Sequence, residues 1–211
     1  MSLLVEFAGT RDNDLVSSSR RVIVVPGRNM GPYVPQLLFP TFAAIRRGAA
    51  PSPIEWDDVE TLDRLDNSGV PAWVAARIDS VFADADADAE STVVIGKSLG
   101  THAAAAAARA GIPAIWVTPL LTDPFVLDAL NRSTAPFLLI GGTADPVWDG
   151  AAARALTPHV LELPDADHGL FVPGPLDLSA QNISALATAS EHFLDENVWP
   201  PPNGNTEADH Q

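Results

Sequence analysis

The stretch TVVIGKSLGTHAAAAAARAG, residues 92–111, joins a β-branched segment to an alanine-rich one through Gly-Lys-Ser-Leu-Gly. The first segment predicts a buried strand, and the alanines that follow predict a helix. A serine at this junction, with a glycine two residues away on each side, allows three interpretations. It is an ordinary connecting turn, a phosphate-binding loop, or a sharp turn that presents a nucleophile.

The motif patterns favour the third interpretation. A phosphate loop needs G-x-x-x-x-G-K-[ST], but the residues before Gly96-Lys97-Ser98 continue the strand and leave no loop to wrap phosphates. The G-x-S-x-G pattern of a nucleophile elbow is complete, with Gly96 and Gly100 beside Ser98. Such a turn strains the serine backbone and leaves no room for side chains two residues away. It also aims the amide of Leu99 at the site, where it could stabilise an oxyanion.

A nucleophilic serine needs a general base and an acid that orients the base. In the elbow architecture the acid and then the histidine follow the serine along the chain. LLIGGTADPVWD places Asp145 after one predicted strand, and LELPDADHGLF places His168 after the next. Because parallel strands end at the same edge of a sheet, both residues are predicted to meet Ser98 there. Other acids near these strand ends stay open as alternatives to Asp145: Asp123, Asp149, Asp165 and Asp167.

Short apolar runs alternate with helix-like segments along the chain, which predicts an α/β fold with a mainly parallel central sheet and helices on both faces. The predicted strands are 3–7, 21–27, 52–56, 92–96, 113–118, 136–142 and 159–164. The predicted helices are 33–47 with an interruption at Pro40, 70–81, 99–110, 123–132, 149–156 and 177–195. The segment 119–135 has room for one helix only, so no lid domain is expected.

The length of 211 residues indicates one domain, predicted as residues 1–198, followed by a tail at 199–211 with the composition of a disordered segment. The formal net charge of −15 disfavours binding to nucleic acids and to anionic membranes. The absence of cysteine excludes disulfides, thiolate metal sites and cysteine nucleophiles. Without an apolar run of membrane-spanning length or a signal-peptide pattern, a cytoplasmic location is expected.

Taken in order, these motifs resemble those of a small lidless α/β-hydrolase, similar to the dienelactone-hydrolase-like branch. The resemblance covers roughly residues 20–195. It is carried by PGRNMG, GKSLGT, GGTADPVWD and DADHGL, which match the oxyanion loop, the elbow, the acid loop and the histidine loop.

The resemblance implies a role for each residue of the site. Ser98 is the nucleophile, His168 is the general base and then the general acid, and Asp145 orients the histidine. Such a site needs no metal and no organic cofactor.

The resemblance also implies two backbone donors for an oxyanion. The amide of Leu99 is one, and the amide of Arg28 is the first choice for the other, with that of Asn29 second. Pro26-Gly27 stands where the family often carries His-Gly, a departure that leaves the second donor open.

The missing lid predicts an open site and a small or flexible acyl substrate. Asn29, Trp148 and Phe171 are predicted to contact the substrate, whereas the other aromatic residues are mostly assigned to the core. His102 is interpreted as structural and as pointing away from the site. Lys97, the chain's only lysine, is interpreted as packing or forming a salt bridge behind the elbow.

The sequence therefore predicts a serine hydrolase that cleaves a carboxylic ester or a related acyl bond of a small molecule through an acyl-serine. Two alternatives stay open: a binding or regulatory protein with the same fold and little activity, and an acyltransferase with the same three residues. The acyl group, the leaving group and the oligomeric state are left undetermined.

Overall fold

The computed structural model describes residues 20–85 and 91–200 as a parallel sheet covered by helices on both faces. The strands are β1 (Arg21–Val25), β2 (Ala50–Pro53), β3 (Thr92–Lys97), β4 (Ala114–Val117), β5 (Phe137–Gly142) and β6 (Val160–Leu163). Their order across the sheet is β2-β1-β3-β4-β5-β6, and every neighbouring pair is parallel. The predicted fold class is confirmed. The strand predicted at 3–7 lies outside the described residues.

The helices lie in the segments between the strands. They are α1 (Pro35–Ile45), α2 (Val59–Arg64), α3 (Val70–Ala85), α4 (Ala104–Ala110), α5 (Pro124–Asn131), α6 (Gly150–Leu156) and α7 (Leu176–Phe193). A 3-10 helix, Ser98–Ala103, separates β3 from α4, so the alanine-rich segment is not one continuous helix. A π-helical turn, Leu194–Val198, follows α7. Among the described helices, none combines the length and apolar character that crossing a membrane requires.

The edge strand β2 begins two residues before the predicted strand. Ala50 pairs with Arg21 of β1, which sets the register of the two strands. Pro51 and Pro53 have no amide hydrogen, and a strand tolerates this where one of its sides has no partner. These prolines therefore suit the outermost position among the strands that the structure describes.

Strand residues alternate between two cores, one on each face of the sheet. Ile23 and Val25 face the core that includes residues of α3, α4 and α5. Val22 and Val24 face the core that includes residues of α1 and α7. Both faces are covered, as the continuous apolar run of β1 predicts for a central parallel strand.

Strand β1 has β2 on one side and β3 on the other. The chain therefore builds the sheet first in one direction from β1 and then in the opposite direction. In open parallel sheets, ligands bind beyond the carboxyl ends of the strands at such a point. Ser98 follows the last residue of β3 and therefore lies at this edge.

The packed region extends to Trp199, which the sequence placed at the start of the tail. The Trp199 residue is only 6% exposed and belongs to the core that includes α1 and α7. Its amide donates to Leu194 O at 2.7 Å, and the guanidinium carbon of Arg20 lies 5.1 Å from the ring centroid. Residues 201–211 of the predicted tail lie outside the described residues.

We expect Trp199→Ala to lower the free energy of unfolding by about 3–5 kcal/mol, because it empties a site in the core. Urea denaturation followed by circular dichroism measures this. Leu176→Ala is the control, since Leu176 is 74% exposed and its loss costs about 0.5 kcal/mol or less. Equal midpoints for the two variants would show that Trp199 does not belong to the core.

Candidate active site

The turn after β3 has the backbone that a nucleophile elbow requires. Lys97 is extended, whereas Ser98 has φ 52°, a left-handed conformation that L-residues rarely adopt. A Cβ on Gly96 would lie 2.7 Å from Trp116 Cε3, and one on Gly100 would lie 2.9 Å from the carbonyl carbon of Val25. Side chains are therefore excluded two residues before and two residues after Ser98, as the sequence predicts.

The three residues predicted to meet at the sheet edge form a chain of contacts. His168 Nε2 lies 2.8 Å from Ser98 Oγ, and His168 Nδ1 lies 2.7 Å from Asp145 Oδ2. An ionised carboxylate only accepts hydrogen bonds, so Nδ1 carries the proton and Nε2 is left to accept from the serine hydroxyl. The Asp145 side chain is fully buried, whereas that of His168 is 38% exposed. The arrangement can take a proton from Ser98 at an accessible surface.

Hydrogen bonds within and between two short loops fix the positions of Asp145 and His168. Asp145 N donates to Gly142 O at 3.1 Å, and Asp145 Oδ1 accepts from Val147 N at 3.1 Å. Ala144 N donates to Ala166 O at 3.0 Å and joins the acid loop to the histidine loop. Because neighbouring parallel strands end together, these two loops need only a few residues to bring their side chains into contact.

The histidine loop is closed by the carboxylate of its own acid. Asp167 Oδ1 accepts from Gly169 N at 2.7 Å and from Phe171 N at 2.9 Å. Asp167 N in turn donates to Phe171 O at 2.9 Å, and Leu170 adopts φ 63°. Asp167 therefore shapes the turn and is not the residue that contacts the imidazole of His168.

The alternative acid Asp123 lies next to a different histidine. Its Oδ2 is 3.6 Å from His102 Nε2, and its Oδ1 accepts from Phe125 N at 2.8 Å at the start of α5. Burial lowers the pKa of His102 below its usual value, and the charge of Asp123 opposes this change. The interpretation of His102 as pointing away from the site is wrong, because His102 lines the same cleft as Ser98.

A cleft of about 520 Å³ opens above Ser98. Its wall combines apolar side chains with a few polar ones: Arg28, Asn67, Val70, Leu99, His102, Leu120, Thr122, Asp123, Pro124, Phe125 and Val147. Among residues 20–85 and 91–200, no group of three or more histidine and acidic side chains is placed to hold a metal ion. The cleft suits a compact molecule with both apolar and polar parts.

The three side chains predicted to contact substrate do not line this cleft. Trp148 Nε1 donates to Glu162 Oε2 at 2.9 Å, and its ring lies over Gly141 of β5. Phe171 is 53% exposed and borders a separate groove beside α7. Asn29 is exposed and has φ 56°. The direction of the Trp148 side chain is set by its contact with Glu162 of β6, which the sequence pattern does not contain.

Phe125 and Val147 occupy the cleft wall instead. Phe125 follows the loop after β4, and Val147 follows the acid loop after β5. The sequence assigns most aromatic residues other than Trp148 and Phe171 to the core, yet Phe125 is 50% exposed. The sequence holds one signal that could have placed them in the cleft wall: both residues follow the carboxyl end of a strand, at the sheet edge where Ser98 lies.

The loop after β1 approaches Ser98 from the other side. A Cβ on Gly27 would lie 3.5 Å from Ser98 Cβ, and Trp56 Nε1 donates to the carbonyls of Pro26 at 3.1 Å and Gly27 at 3.2 Å. The Arg28 side chain lines the cleft and pairs with Asp63 at 3.2 Å. The backbone amides of Arg28 and Leu99 stay predicted oxyanion donors. Arg28 follows Gly27 in this loop, and Leu99 follows Ser98 in the elbow.

No protein-family model matches this sequence, and neither does any curated protein. Solved structures match most of the chain. A protein of the α/β-hydrolase superfamily from Xanthomonas campestris pv. campestris is 22% identical, with a TM-score of 0.59, over 83% of this chain and 98% of its own. Dienelactone hydrolase from Anabaena variabilis is 18% identical, with a TM-score of 0.64, over 86% and 88% of the two chains.

An α/β serine hydrolase without a lid, from Xanthomonas campestris, is 14% identical with a TM-score of 0.56, over 88% of this chain and 87% of its own. At these identities the likeness shows the fold. This chain has the α/β-hydrolase fold in its lidless form, with α5 as the helix between β4 and β5. The predicted resemblance to lidless α/β-hydrolases is confirmed at this level.

We expect Gly100→Ala to destabilise the protein by about 2–3 kcal/mol, because its methyl group would overlap the Val25 carbonyl in a rigid strand end. Urea denaturation provides the measurement. Gly31→Ala is the matched control, since a Cβ there meets no atom within 4 Å. A Gly100→Ala variant as stable as Gly31→Ala would contradict the packing described for the elbow.

Proposed function

We propose that this chain is a serine hydrolase that cleaves a carboxylic ester, or a related acyl bond, through an acyl-serine intermediate. The observation that carries the proposal is the pair of contacts from one imidazole, at 2.8 Å to Ser98 Oγ and 2.7 Å to Asp145 Oδ2. The strained φ of Ser98 supports it, because such strain persists where the surrounding structure maintains it and is common at functional sites.

In the proposed acylation step, Ser98 Oγ attacks the carbonyl carbon while His168 Nε2 takes the hydroxyl proton. Asp145 holds the imidazole in the required tautomer and stabilises the imidazolium. The negative charge on the carbonyl oxygen is bound by the amide of Leu99 and by that of Arg28 or Asn29. The C–O bond to the leaving group then breaks, and the imidazolium returns its proton to the departing alcohol.

Deacylation repeats these roles with water as the nucleophile. Water loses a proton to His168 and attacks the acyl carbon, and Ser98 is released with that proton. The exposure of His168 and the absence of an inserted lid favour water as the acceptor over an alcohol or an amine. Competing nucleophiles added to an ester assay would reveal acyl transfer as a second product.

The cleft supports a compact substrate. Its volume and its mixed wall fit a short or aromatic acyl group better than a long lipid chain. Est1E from Butyrivibrio proteoclasticus, a solved structure with a TM-score of 0.60 and 13% identity, has ferulic acid bound. An ester of a small aromatic acid is accordingly a useful member of a substrate panel.

A binding or regulatory protein without activity would need no serine in contact with an imidazole. The geometry around Ser98 therefore favours the hydrolase over this alternative.

Ser98→Ala should abolish hydrolysis of a short p-nitrophenyl ester and labelling by a fluorophosphonate, because it removes the attacking oxygen. The loss of turnover should reach at least about 10³-fold. Ser68→Ala is the control, since Ser68 is exposed and its hydroxyl donates to the nearby Asp66 Oδ1 at 2.7 Å. Undiminished labelling of Ser98→Ala would refute the assignment of the nucleophile.

Asp145→Asn and Asp123→Asn distinguish the two candidate acids. Asp145→Asn should reduce kcat by about 10³–10⁴-fold, since the amide can donate to Nδ1 and stabilise the wrong tautomer. Asp123→Asn should keep kcat within about tenfold of the parent, because asparagine also caps a helix and His168 is unaffected. A larger loss of kcat in Asp123→Asn than in Asp145→Asn would show that Asp123, and not Asp145, orients the histidine.

A further inference from the structure

A buried cation lies directly behind Ser98, and no step of the proposed reaction uses it. Lys97 is the last residue of β3, is 1% exposed, and is the only lysine in the chain. Burying an ammonium group is costly, because the charge loses its hydration shell. A methionine would fill a similar volume without that cost. The charge itself therefore needs an explanation.

The ammonium connects the ends of several strands. Lys97 Nζ donates to Thr118 Oγ1 at 3.0 Å, just after β4, and to the backbone carbonyl of His168 at 3.1 Å, after β6. Thr118 is fully buried, adopts φ 43° and donates its amide to Ile140 O of β5 at 2.7 Å. Lys97 thus binds the backbone of the residue whose ring contacts Ser98.

The charges of two carboxylates on neighbouring loops act on the ammonium. Asp145, after β5, and Asp167, after β6, both attract its charge. Burial outweighs this attraction and lowers the pKa of Lys97 to about 8. Electrostatic coupling is reciprocal, so the ammonium also stabilises the negative charge of the buried Asp145.

We propose that Lys97 is a positioning residue for the serine hydrolase proposed above. Its ammonium holds the carbonyl of His168 so that the imidazole reaches Ser98, and its charge balances the buried carboxylate of Asp145. A neutral side chain at this position makes protonation of His168 more favourable, because a nearby positive charge that opposes it is lost.

The first experiment follows the ring of His168 by NMR in protein labelled at histidine, with His168→Gln assigning the signal. In Lys97→Met the titration midpoint should rise by about half a pH unit or more. In the plot of kcat/KM against pH, the limb at low pH should also move to higher pH. Lys97→Arg keeps the charge and should restore the parent midpoint.

Arg109→Met is the matched control, since it removes a positive charge whose side chain is 66% exposed on α4. Its His168 midpoint should equal that of the parent. The proposal is overturned if Lys97→Met titrates like the parent, or if Arg109→Met shifts the midpoint as far as Lys97→Met does.

A second experiment leaves Lys97 in place and holds even if Lys97→Met fails to fold. Protein labelled with lysine that carries ¹³C only at Cε shows one labelled signal, because the chain has one lysine. Asp145→Asn should move its titration to lower pH than in the parent, since an attracting charge is lost. Asp128→Asn, which removes a carboxylate that is 62% exposed on α5, should not. An unmoved Lys97 signal in Asp145→Asn overturns the proposal.

Neither titration requires a substrate, so the two proposals fail in different ways. If the parent neither hydrolyses esters nor reacts with a fluorophosphonate, the proposed function fails while the titrations still decide the coupling of Lys97. If the parent is active and the titrations show no coupling, the role of Lys97 fails alone.

Discussion

The left-handed backbone of Ser98 is the constraint on which the rest of the site depends. A residue in this conformation costs about 1–3 kcal/mol, and it persists only where the surroundings hold it. The chain reverses direction so closely here that Gly96 faces the ring of Trp116 and Gly100 faces the carbonyl of Val25. The packing of helices on both faces of the sheet offsets the cost. The same turn raises the hydroxyl above the sheet edge and begins the 3-10 helix beside it.

Parallel strands explain how residues far apart in sequence reach this hydroxyl. Asp145 and His168 follow the ends of β5 and β6, which are neighbours in the sheet, and a bond from Ala144 N to Ala166 O joins their loops. Lys97 adds a further contact, because its ammonium donates a hydrogen bond to the backbone carbonyl of His168. The imidazole is therefore positioned by its own loop, by a buried carboxylate and by a buried ammonium.

The local patterns predicted the elbow, the buried strands and the positions of Asp145 and His168, because each depends on a few adjacent residues and on the common direction of parallel strands. The directions of the side chains around the cleft were less predictable. Trp148 turns to Glu162, and His102 lies beside Asp123 in the cleft, through contacts across the fold. In the sequence, Trp199 is followed by residues whose composition is typical of a disordered tail, yet its ring is buried against the core.

The sequence by itself determined the turn at Ser98, the buried strands of the central sheet and which reactive groups stand at strand ends, since glycine spacing and β-branched runs act locally. The tertiary structure decided which acid contacts His168, which side chains line the cleft and what Lys97 binds. These outcomes depend on distances between loops that adjoin only after the sheet has assembled. A side chain at the end of a strand turns toward whichever partner the neighbouring loops bring within about 3 Å, and that partner is fixed by the whole fold.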